Sequence, residues 1–354
     1  MPSVSAVIVT YNGGSNVLRC IEKAKAQTRP FDEIIVVDNA STDGSPKEIR
    51  SAHPDVQLIE MPDNRGPSVS RNAGLAAAKC EFVFWIDNDL YPEDSCLENL
   101  LAALATVSAD FLVPRVVLVP ETHIVQADGG DAHFIGMLSL RHGFRPLRQI
   151  NDHAIARITA FSSSCMFVRR DMALQFGGFD ETFFFYFEDY EFSFRSSIFG
   201  AKMLSVPSAC AFHDRGAGYA GLSLRDGGPY PRRRAYLQSR NRLRTVMTHY
   251  SARTLFVLAP ALLFYEFVGL GLAMMRGWTG AWWDAWVWVF RHRRLIVNRR
   301  RWVQSQRTVP DRDILTGGPL SIAPGLMTSG VVRWAASFVS VALNFYWRLV
   351  RWLI

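Results

Sequence analysis

Two pairs of acidic side chains in this 354-residue chain have the residue types and spacing that catalysis requires. Glu188 and Asp189 interrupt an aromatic run, and apolar surroundings raise the pKa of a carboxyl group towards that of a working base. Asp87 and Asp89 lie two residues apart at the end of an apolar run, so both point to the same side of the chain. Hard oxygen ligands of this kind favour Mg²⁺ or Mn²⁺. The two pairs predict acid–base chemistry beside a divalent cation.

Each of these features also has a purely structural explanation. Acidic residues such as Glu188 and Asp189 are favoured at the positive end of a helix, and a solvated Asn/Asp turn is common after a strand. His213 ends an apolar, strand-like segment, where a histidine is more often a buried core residue than a ligand. Beside a carboxylate, the same imidazole is an ordinary metal ligand. The residues alone leave both interpretations open.

Short apolar runs alternate with helical segments in the first part of the chain. Runs at 5–10, 34–38, 56–60 and 82–86 predict strands, and 17–27, 46–52 and 68–79 predict helices. Strand-like runs also occur at 111–119, 161–169, 202–206 and 209–213. This alternation predicts an α/β fold with a mostly parallel sheet and helices on both faces. Ligands gather at the carboxyl ends of such strands, where the polar residues of this chain are found.

Five motifs, taken in order, resemble family 2 of the glycosyltransferases, the inverting nucleotide-sugar enzymes with the GT-A fold. They cover roughly residues 4–213 and are Val7–Asn12, Ile35–Gly44, Asn64–Gly66 with Arg71–Gly74, Asp87–Asp89, and Gly177–Asp180 with Phe187–Asp189. The segment Tyr236–Leu243 and the apolar stretches after it are similar to the rhamnosyltransferase-like branch of that family.

The resemblance implies a role for each matching residue. Asp189 would be the general base, whereas Glu188 is less suited to that role and would bind the acceptor. Asp89 would bind Mg²⁺ or Mn²⁺ at the donor diphosphate, with His213 as a further ligand. The donor would be a UDP- or dTDP-linked sugar, with Asp38 near its base or ribose and Asp87 on the ribose side. The nucleotide-sugar pocket would comprise Thr10, Tyr11, Asn12, Asp38, Arg71, Asp87 and Asn88.

Two other functions compete with this one. A sugar-1-phosphate nucleotidyltransferase needs a basic, glycine-rich loop after the first strand, and the loop Tyr11–Asn16 contains no basic residue. A catalytically inactive, membrane-bound glycan-binding scaffold has no need of the acids at Asp89 and Asp189.

The charge distribution divides the chain into two parts. Residues 232–307 contain 15 arginines and two acids, a net charge of +13, whereas the remainder has 24 basic and 30 acidic residues, a net charge of −6. We therefore expect a GT-A catalytic domain over 1–231 and a basic, Trp-rich, membrane-associated helical region over 232–354. Anionic lipid is favoured over nucleic acid as its partner, because long apolar runs separate the arginines.

The apolar segment 254–275 is long enough to span a bilayer. Arginines flank it on both sides, which opposes a single crossing and favours in-plane or re-entrant attachment over one clean span. A buried core helix is the remaining alternative. Trp-rich segments at 281–290 and 331–354 are typical of interfacial helices, and 214–231 is expected to be a mobile loop.

Two further observations bear on the compartment. The five cysteines are scattered, which is typical of reduced core residues, and no basic region precedes the first strand, so no signal peptide is expected. We therefore expect the protein at the cytoplasmic face of the cell membrane, where it would extend a glycan or polyprenyl-linked acceptor.

Overall fold

The computed structural model describes residues 2–119, 122–162, 165–214, 232–320 and 330–354. Within these, one compact unit comprises residues 2–130, 140–193 and 201–214, and a second comprises 131–139, 194–200 and the described residues from 232 onwards. The second unit thus includes two short segments that the sequence division assigns to the first domain. A boundary at 231 and a mobile loop over 214–231 stay predictions, because all but Asp214 of that loop lies outside the described residues.

The first unit is built on a mixed sheet in which β4, β1, β2 and β3 are neighbours in that order and all parallel. β12 runs antiparallel between β4 and β6, and β13 lies parallel to β6. The described strands of both units are β1 (Val4–Thr10), β2 (Glu33–Asp38), β3 (Gln57–Glu60), β4 (Phe82–Asp87), β5 (Leu90–Pro92), β6 (Phe111–Val119), β7 (Ile124–Ala127), β8 (Gly130–His133), β9 (Met137–Leu140), β10 (Arg145–Pro146), β11 (Ala156–Ile158), β12 (Cys165–Arg169) and β13 (Met203–Asp214). β8 and β9 pair with each other in a separate two-stranded sheet. The prediction of an α/β fold with helices packed on the sheet is confirmed, and the sheet is mixed, with four parallel and six antiparallel strand pairings among the described residues.

The helices of the chain alternate with these strands and then follow them. They are α1 (Gly14–Lys25), α2 (Ser45–Ala52), α3 (Pro67–Ala77), α4 (Cys96–Thr106), α5 (Arg170–Gln175), α6 (Glu188–Ile198), α7 (Arg232–His249), α8 (Ala252–Arg276), α9 (Thr279–Arg291), α10 (Arg293–Gln306) and α11 (Gly330–Val350). The two short strands predicted at 202–206 and 209–213 are one strand, β13, whose register shifts between Val206 and Cys210. A shift of this kind interrupts the apolar alternation and explains why the sequence shows two pieces.

Alternate residues of each central strand face opposite sides of the sheet, and helices cover both sides. On one side, Ile8 and Val36 join a buried cluster with Ile21 of α1 and Leu97 of α4. On the other side, the ring of Trp85 packs edge-on against Phe192 of α6, with 6.1 Å between ring centroids. The carboxyl ends of β1, β2 and β4 therefore lie at one edge of a sheet that is fixed from both faces.

The second unit is helical, and side chains of α10 cap the carboxyl end of α7. Nη1 of Arg300 donates to the carbonyl oxygens of Met247 and Tyr250, at 2.7 Å in each case, and Nε2 of Gln304 donates to the carbonyl of His249 at 2.9 Å. A positive charge at this position complements the negative end of the helix dipole. Arg300 of this basic region thus has a structural role within the fold.

Among the described residues, α8 is the one helix that is long and apolar enough to cross a membrane. Only 11% of its most apolar 18-residue window is buried in the structure. This low burial argues against the alternative of a buried core helix, because the core helix of a soluble protein is mostly covered.

We predict that Gly74→Ala destabilises the protein by about 1–3 kcal/mol, the usual cost of overpacking. A Cβ on this residue of α3 would overlap Cγ1 of Val7 and lie 3.3 Å from Cγ2 of Val37, both in the sheet. Gly271→Ala in α8 is the matched control, since its Cβ would meet nothing within 4 Å. Denaturant unfolding measures both variants. Equal stability of Gly74→Ala and the parent protein would contradict this packing.

Candidate functional site

A buried arginine joins the end of β4 to the beginning of α6. Arg71 of α3 is 3% exposed, and its Nη2 donates to Oδ1 of Asp87 at 2.7 Å while its Nη1 lies 3.3 Å from Oε1 of Glu188. The guanidinium also lies over the ring of Phe179, 5.3 Å from its centroid. Arg71 was predicted to lie in the nucleotide pocket, and in the structure it bridges two carboxylates. Its predicted contact with nucleotide stays a prediction.

The three bridged groups have shifted pKa values with distinct causes. Burial by itself lowers the pKa of Arg71, but the charges of Asp87 and Glu188 outweigh it and raise the pKa overall. Burial raises the pKa of Asp87, against the effect of Arg71. Burial, reinforced by the charge of Asp189 and opposed by Arg71, raises the pKa of Glu188 to about 7. Glu188 therefore changes its protonation near neutral pH.

Asp189 occupies the first turn of α6, next to Glu188, and is more exposed than Glu188. Its Oδ1 accepts a hydrogen bond from the backbone N–H of Tyr190 at 2.7 Å. The positive end of the helix dipole favours an ionised carboxylate at this position. Of the two adjacent acids, Glu188 faces the buried arginine, and Asp189 is the more accessible one.

The backbone that leads into α6 is strained. Tyr186 and Phe187 have φ angles of 65° and 70°, in the left-handed region that side chains with a Cβ rarely adopt. Two consecutive residues of this kind cost free energy, and such outliers cluster at functional sites. Asn72 fixes the preceding loop, because its Nδ2 donates to the carbonyl of Phe179 at 2.9 Å and its Oδ1 accepts from the N–H of Phe179 at 2.8 Å.

Asp89 and His213 meet at the same edge of the sheet. Nε2 of His213 lies 3.2 Å from Oδ2 of Asp89, and the N–H of Asp214 donates to the carbonyl of Asp89 at 2.8 Å. On its other side, Nδ1 of His213 lies 2.7 Å from Oε1 of Gln126, a buried residue of β7. When Nδ1–H donates to Gln126, the lone pair of Nε2 is directed at Asp89, which is the tautomer that a metal ligand requires.

Gln126 was not among the site residues predicted from the sequence. A single glutamine on a strand has no recognisable pattern, and only the pairing of β7 with β6, and of β6 with β13, brings it to His213. The structure therefore adds a residue that orients a predicted metal ligand.

The pair formed by Asp89 and His213 fits a divalent cation. A carboxylate oxygen and a neutral imidazole nitrogen are both ligands that Mn²⁺ accepts, and Mg²⁺ is usually held by one or two carboxylates together with phosphate oxygens and water. No group of three or more His, Cys, Asp or Glu suited to a metal ion occurs in the described part of the chain. A divalent cation at this pair would have two protein ligands, and a diphosphate would supply others.

The predicted nucleotide pocket lies where β1 and β2 end. Oδ2 of Asp38 accepts from the N–H of Ser41 at 2.9 Å, whereas its buried Oδ1 has no hydrogen-bond partner among the residues that the structure describes. The same holds, within the described part of the chain, for the buried Oδ1 of Asn39, whose Nδ2 donates to Asn64. Buried acceptors are rarely left unpaired in native structures, so these two oxygens are candidate acceptors for a ligand. Asn39 was not among the predicted site residues.

Other predicted pocket residues lie at or just after the ends of β1 and β4. Nδ2 of Asn88 donates to Oγ1 of Thr10 at 3.0 Å, and Oδ1 of Asn12 accepts from the N–H of Thr42 at 2.8 Å. Tyr11 is 43% exposed at the end of β1. Asn12 has a φ of 49°, so the turn after β1 is held in an uncommon conformation by hydrogen bonds to the loop after β2. Their binding roles stay predictions.

Comparison with known proteins identifies relatives. Residues 5–177 match the model of the family described as glycosyl transferase family 2. The pre-mycofactocin glycosyltransferase of Mycobacterium tuberculosis (strain ATCC 25618 / H37Rv) is 28% identical over 212 residues, which are 60% of this chain and 42% of that protein. The N-acetylglucosaminyl-diphospho-decaprenol L-rhamnosyltransferase of the same strain is 26% identical over 230 residues, covering 59% of this chain and 75% of that protein.

Solved structures also share the fold at low sequence identity, and that of GalNAc-T7 is one of them. The crystal structure of GalNAc-T7 with UDP, GalNAc and Mn²⁺ superposes with a TM-score of 0.57 and 19% identity, and it covers 74% of this chain and 51% of that one. At this identity the likeness establishes the fold alone. The matched residues span less than half of the first curated relative, so they represent one part of that longer protein.

We predict that the free energy of unfolding of Glu188→Gln, measured relative to that of the parent protein, is larger at pH 8 than at pH 5. Folding raises the pKa of Glu188 from 4.5 to about 7. Between pH 4.5 and pH 7, the folded parent protein therefore binds more protons at this carboxyl group than the unfolded protein does. Its stability therefore falls as the pH rises through this window, by on the order of 3 kcal/mol, and the glutamine abolishes the loss. Urea unfolding at both pH values measures the difference. Glu22→Gln, an exposed acid on α1, is the control; a difference for Glu188→Gln that does not grow with pH would refute the assignment.

Proposed function

Because the chain belongs to family 2 of the glycosyltransferases, we propose that it moves a sugar from a nucleotide-diphosphate sugar to a hydroxyl group of a lipid-linked or cell-surface glycan, with inversion at the anomeric carbon. The observation that carries this proposal is the bridge from Asp87 through Arg71 to Glu188, which connects the residue next to Asp189 to the end of β4. The relatives are named glycosyltransferases, which favours transfer over the nucleotidyltransferase and the inactive scaffold.

The donor would bind at the carboxyl ends of β1, β2 and β4. The unpaired acceptor oxygens of Asp38 and Asn39 are suited to the N–H and O–H donors of a nucleoside. Thr10, Tyr11 and Asn12 would border it, and Asp87 and Asn88 would lie on the ribose side. A UDP- or dTDP-linked donor is proposed on the basis of the family, and GalNAc-T7, which shares the fold, contains UDP.

In the chemical step, the carboxylate of Asp189 would take the proton of the acceptor hydroxyl while that oxygen attacks the anomeric carbon. The bond from this carbon to the diphosphate oxygen breaks, the diphosphate leaves with the electron pair, and single in-line displacement inverts the configuration. Glu188 would keep Arg71, and with it the start of α6, in place. Asp89 and His213 would hold Mg²⁺ or Mn²⁺, which supplies Lewis-acid stabilisation of the departing diphosphate.

The name of one relative supports the type of acceptor, and features of the second unit support the location. The decaprenol-linked substrate in the name of the mycobacterial rhamnosyltransferase supports a polyprenyl-linked acceptor. The exposed, apolar surface of α8 and the basic charge of residues 232–307 support attachment to anionic lipid, which we place at the cytoplasmic face of the cell membrane.

We predict that Asp189→Asn lowers the rate of sugar transfer by about 100-fold or more while donor binding is nearly unchanged, as expected when a general base is removed. Glu188→Gln is the adjacent matched control and should reduce the rate less. Single-turnover transfer and titration with the nucleotide sugar separate the two effects. Near-normal transfer by Asp189→Asn would exclude it as the base.

A second set of variants tests the metal ligands. Asp89→Ala should abolish Mn²⁺-dependent binding of UDP, His213→Ala should weaken it less, and Gln126→Leu should weaken it by about 10- to 100-fold, the usual effect of a residue that orients a ligand. Electron paramagnetic resonance of free and bound Mn²⁺ gives each affinity independently of activity. Asp94→Ala, a surface acid paired with Lys23, is the control. Unchanged Mn²⁺ affinity in Asp89→Ala, or full activity in excess EDTA, would place the metal elsewhere or exclude it.

A further inference from the structure

Two helices of the second unit each carry an exposed line of large apolar side chains. In each line, the second, third and fourth side chains follow the first by 7, 11 and 18 positions. On an α-helix, residues at these spacings project within about 20° of the first residue when viewed down the helix axis. All eight side chains are between 54% and 83% exposed. The α8 stripe consists of Phe256, Leu263, Phe267 and Met274, and the α11 stripe consists of Trp334, Val341, Phe345 and Trp352, the last in the short turn after α11.

The opposite faces of the same helices are packed. Leu258 and Ala261 of α8 and Leu343 and Trp347 of α11 are buried. The hydroxyl of Tyr346 donates to the carbonyl of Val257 at 2.6 Å and joins the two helices. Both stripes are therefore the outer sides of folded helices, about 27 Å long at 1.5 Å per residue. Apolar areas of this size on a protein surface mark a site of interaction.

A buried ion pair ties the middle of α8 to α7. Glu266, near the centre of α8, pairs through Oε1 with Nη1 of Arg242, and its Oε2 accepts from Nε1 of Trp286 at 3.1 Å. α7 contains six arginines. If α8 crossed a bilayer, Glu266 would lie near the midplane and would draw Arg242 and its helix into the hydrocarbon, where charged side chains are costly.

We infer that the α8 and α11 stripes are a docking surface for an anionic lipid bilayer and that α8 lies in the plane of the membrane. This inference rests on the membrane attachment proposed above and specifies its orientation. The same helices carry exposed arginines, and α11 contains no acidic residue. These arginines are Arg253 in the first turn of α8, Arg333 and Arg348 in α11, and Arg351 in the turn after α11. Guanidinium groups bind phosphate oxygens well, and tryptophan is enriched at membrane interfaces.

The same charges disfavour a second copy of this chain as the occupant. Pairing two copies through these stripes would bring the same arginine-rich borders together, and like charges across an interface oppose association. A bilayer with anionic headgroups offers hydrocarbon to the apolar stripes and negative charge to the arginines beside them.

The first experiment measures flotation of the full chain with vesicles of phosphatidylcholine, with and without phosphatidylglycerol. We expect binding that increases with the anionic lipid and that falls at least about tenfold in Phe256→Ser/Phe267→Ser. The matched control is Ile155→Ser/Leu174→Ser, which changes two exposed apolar residues of the first unit and should bind as the parent does. Circular dichroism verifies that both variants are folded. Equal loss in both variants would overturn the assignment of the stripe.

The second experiment measures depth in the bilayer. Nitroxide labels at positions 256, 263, 267 and 274 should all have similar, shallow depths in power-saturation measurements if α8 lies in the plane. A profile that is deepest at 263 and 267 and shallow at 256 and 274 would show a crossing helix and overturn this inference, while the proposed attachment would stand. If the full chain binds no vesicles, or if it forms a dimer that protects the labels, both the inference and the proposed membrane attachment fail. Neither outcome affects the proposal of glycosyl transfer.

Discussion

The buried guanidinium of Arg71 is the interaction on which the proposed catalytic centre depends. Its ion pairs with Asp87 and Glu188 connect α3, the end of β4 and the first turn of α6, three elements that are distant in sequence. Without this cation, the buried carboxylate of Glu188 and the partly exposed one of Asp87 would face each other's charge, and Glu188 would also bear the cost of desolvation. The position of Asp189 follows from this bridge, since it is the residue next to Glu188. Glu188 keeps a raised pKa because one arginine offsets only part of the effect of burial and neighbouring acids.

The motif residues around Arg71 each meet a distinct physical demand. Asn72, the next residue, holds both the N–H and the carbonyl of Phe179. A Cβ on Gly178, which has a φ of 59°, would lie 2.5 Å from Oδ1 of that asparagine, so only glycine fits this turn. Gly74 lets α3 approach the sheet closely. The same short stretch of α3 therefore sets the helix against the sheet, positions the loop before α6 and supplies the central cation.

Much of the fold was predictable because it depends on local patterns. The buried β-branched runs of β1, β2 and β4 and the polar residues at their ends are evident in the sequence, and they place Asp38, Asp87 and Asp89 at one edge. What depends on distant pairing was not predictable. Neither the contact of Gln126 with His213 nor that of Glu266 with Arg242 has a sequence pattern, because each is created by how strands or helices pack.

The proposed mechanism has one directly measurable consequence, which is the stereochemistry of the product. A single displacement assisted by Asp189 inverts the anomeric configuration, whereas a reaction through a glycosyl-enzyme intermediate retains it. The direct measurement is the proton NMR coupling constant of the anomeric hydrogen in the product, formed from a UDP- or dTDP-linked sugar of known configuration. The account predicts that an α-linked donor gives a β-linked product. An α-linked product from that donor would contradict it.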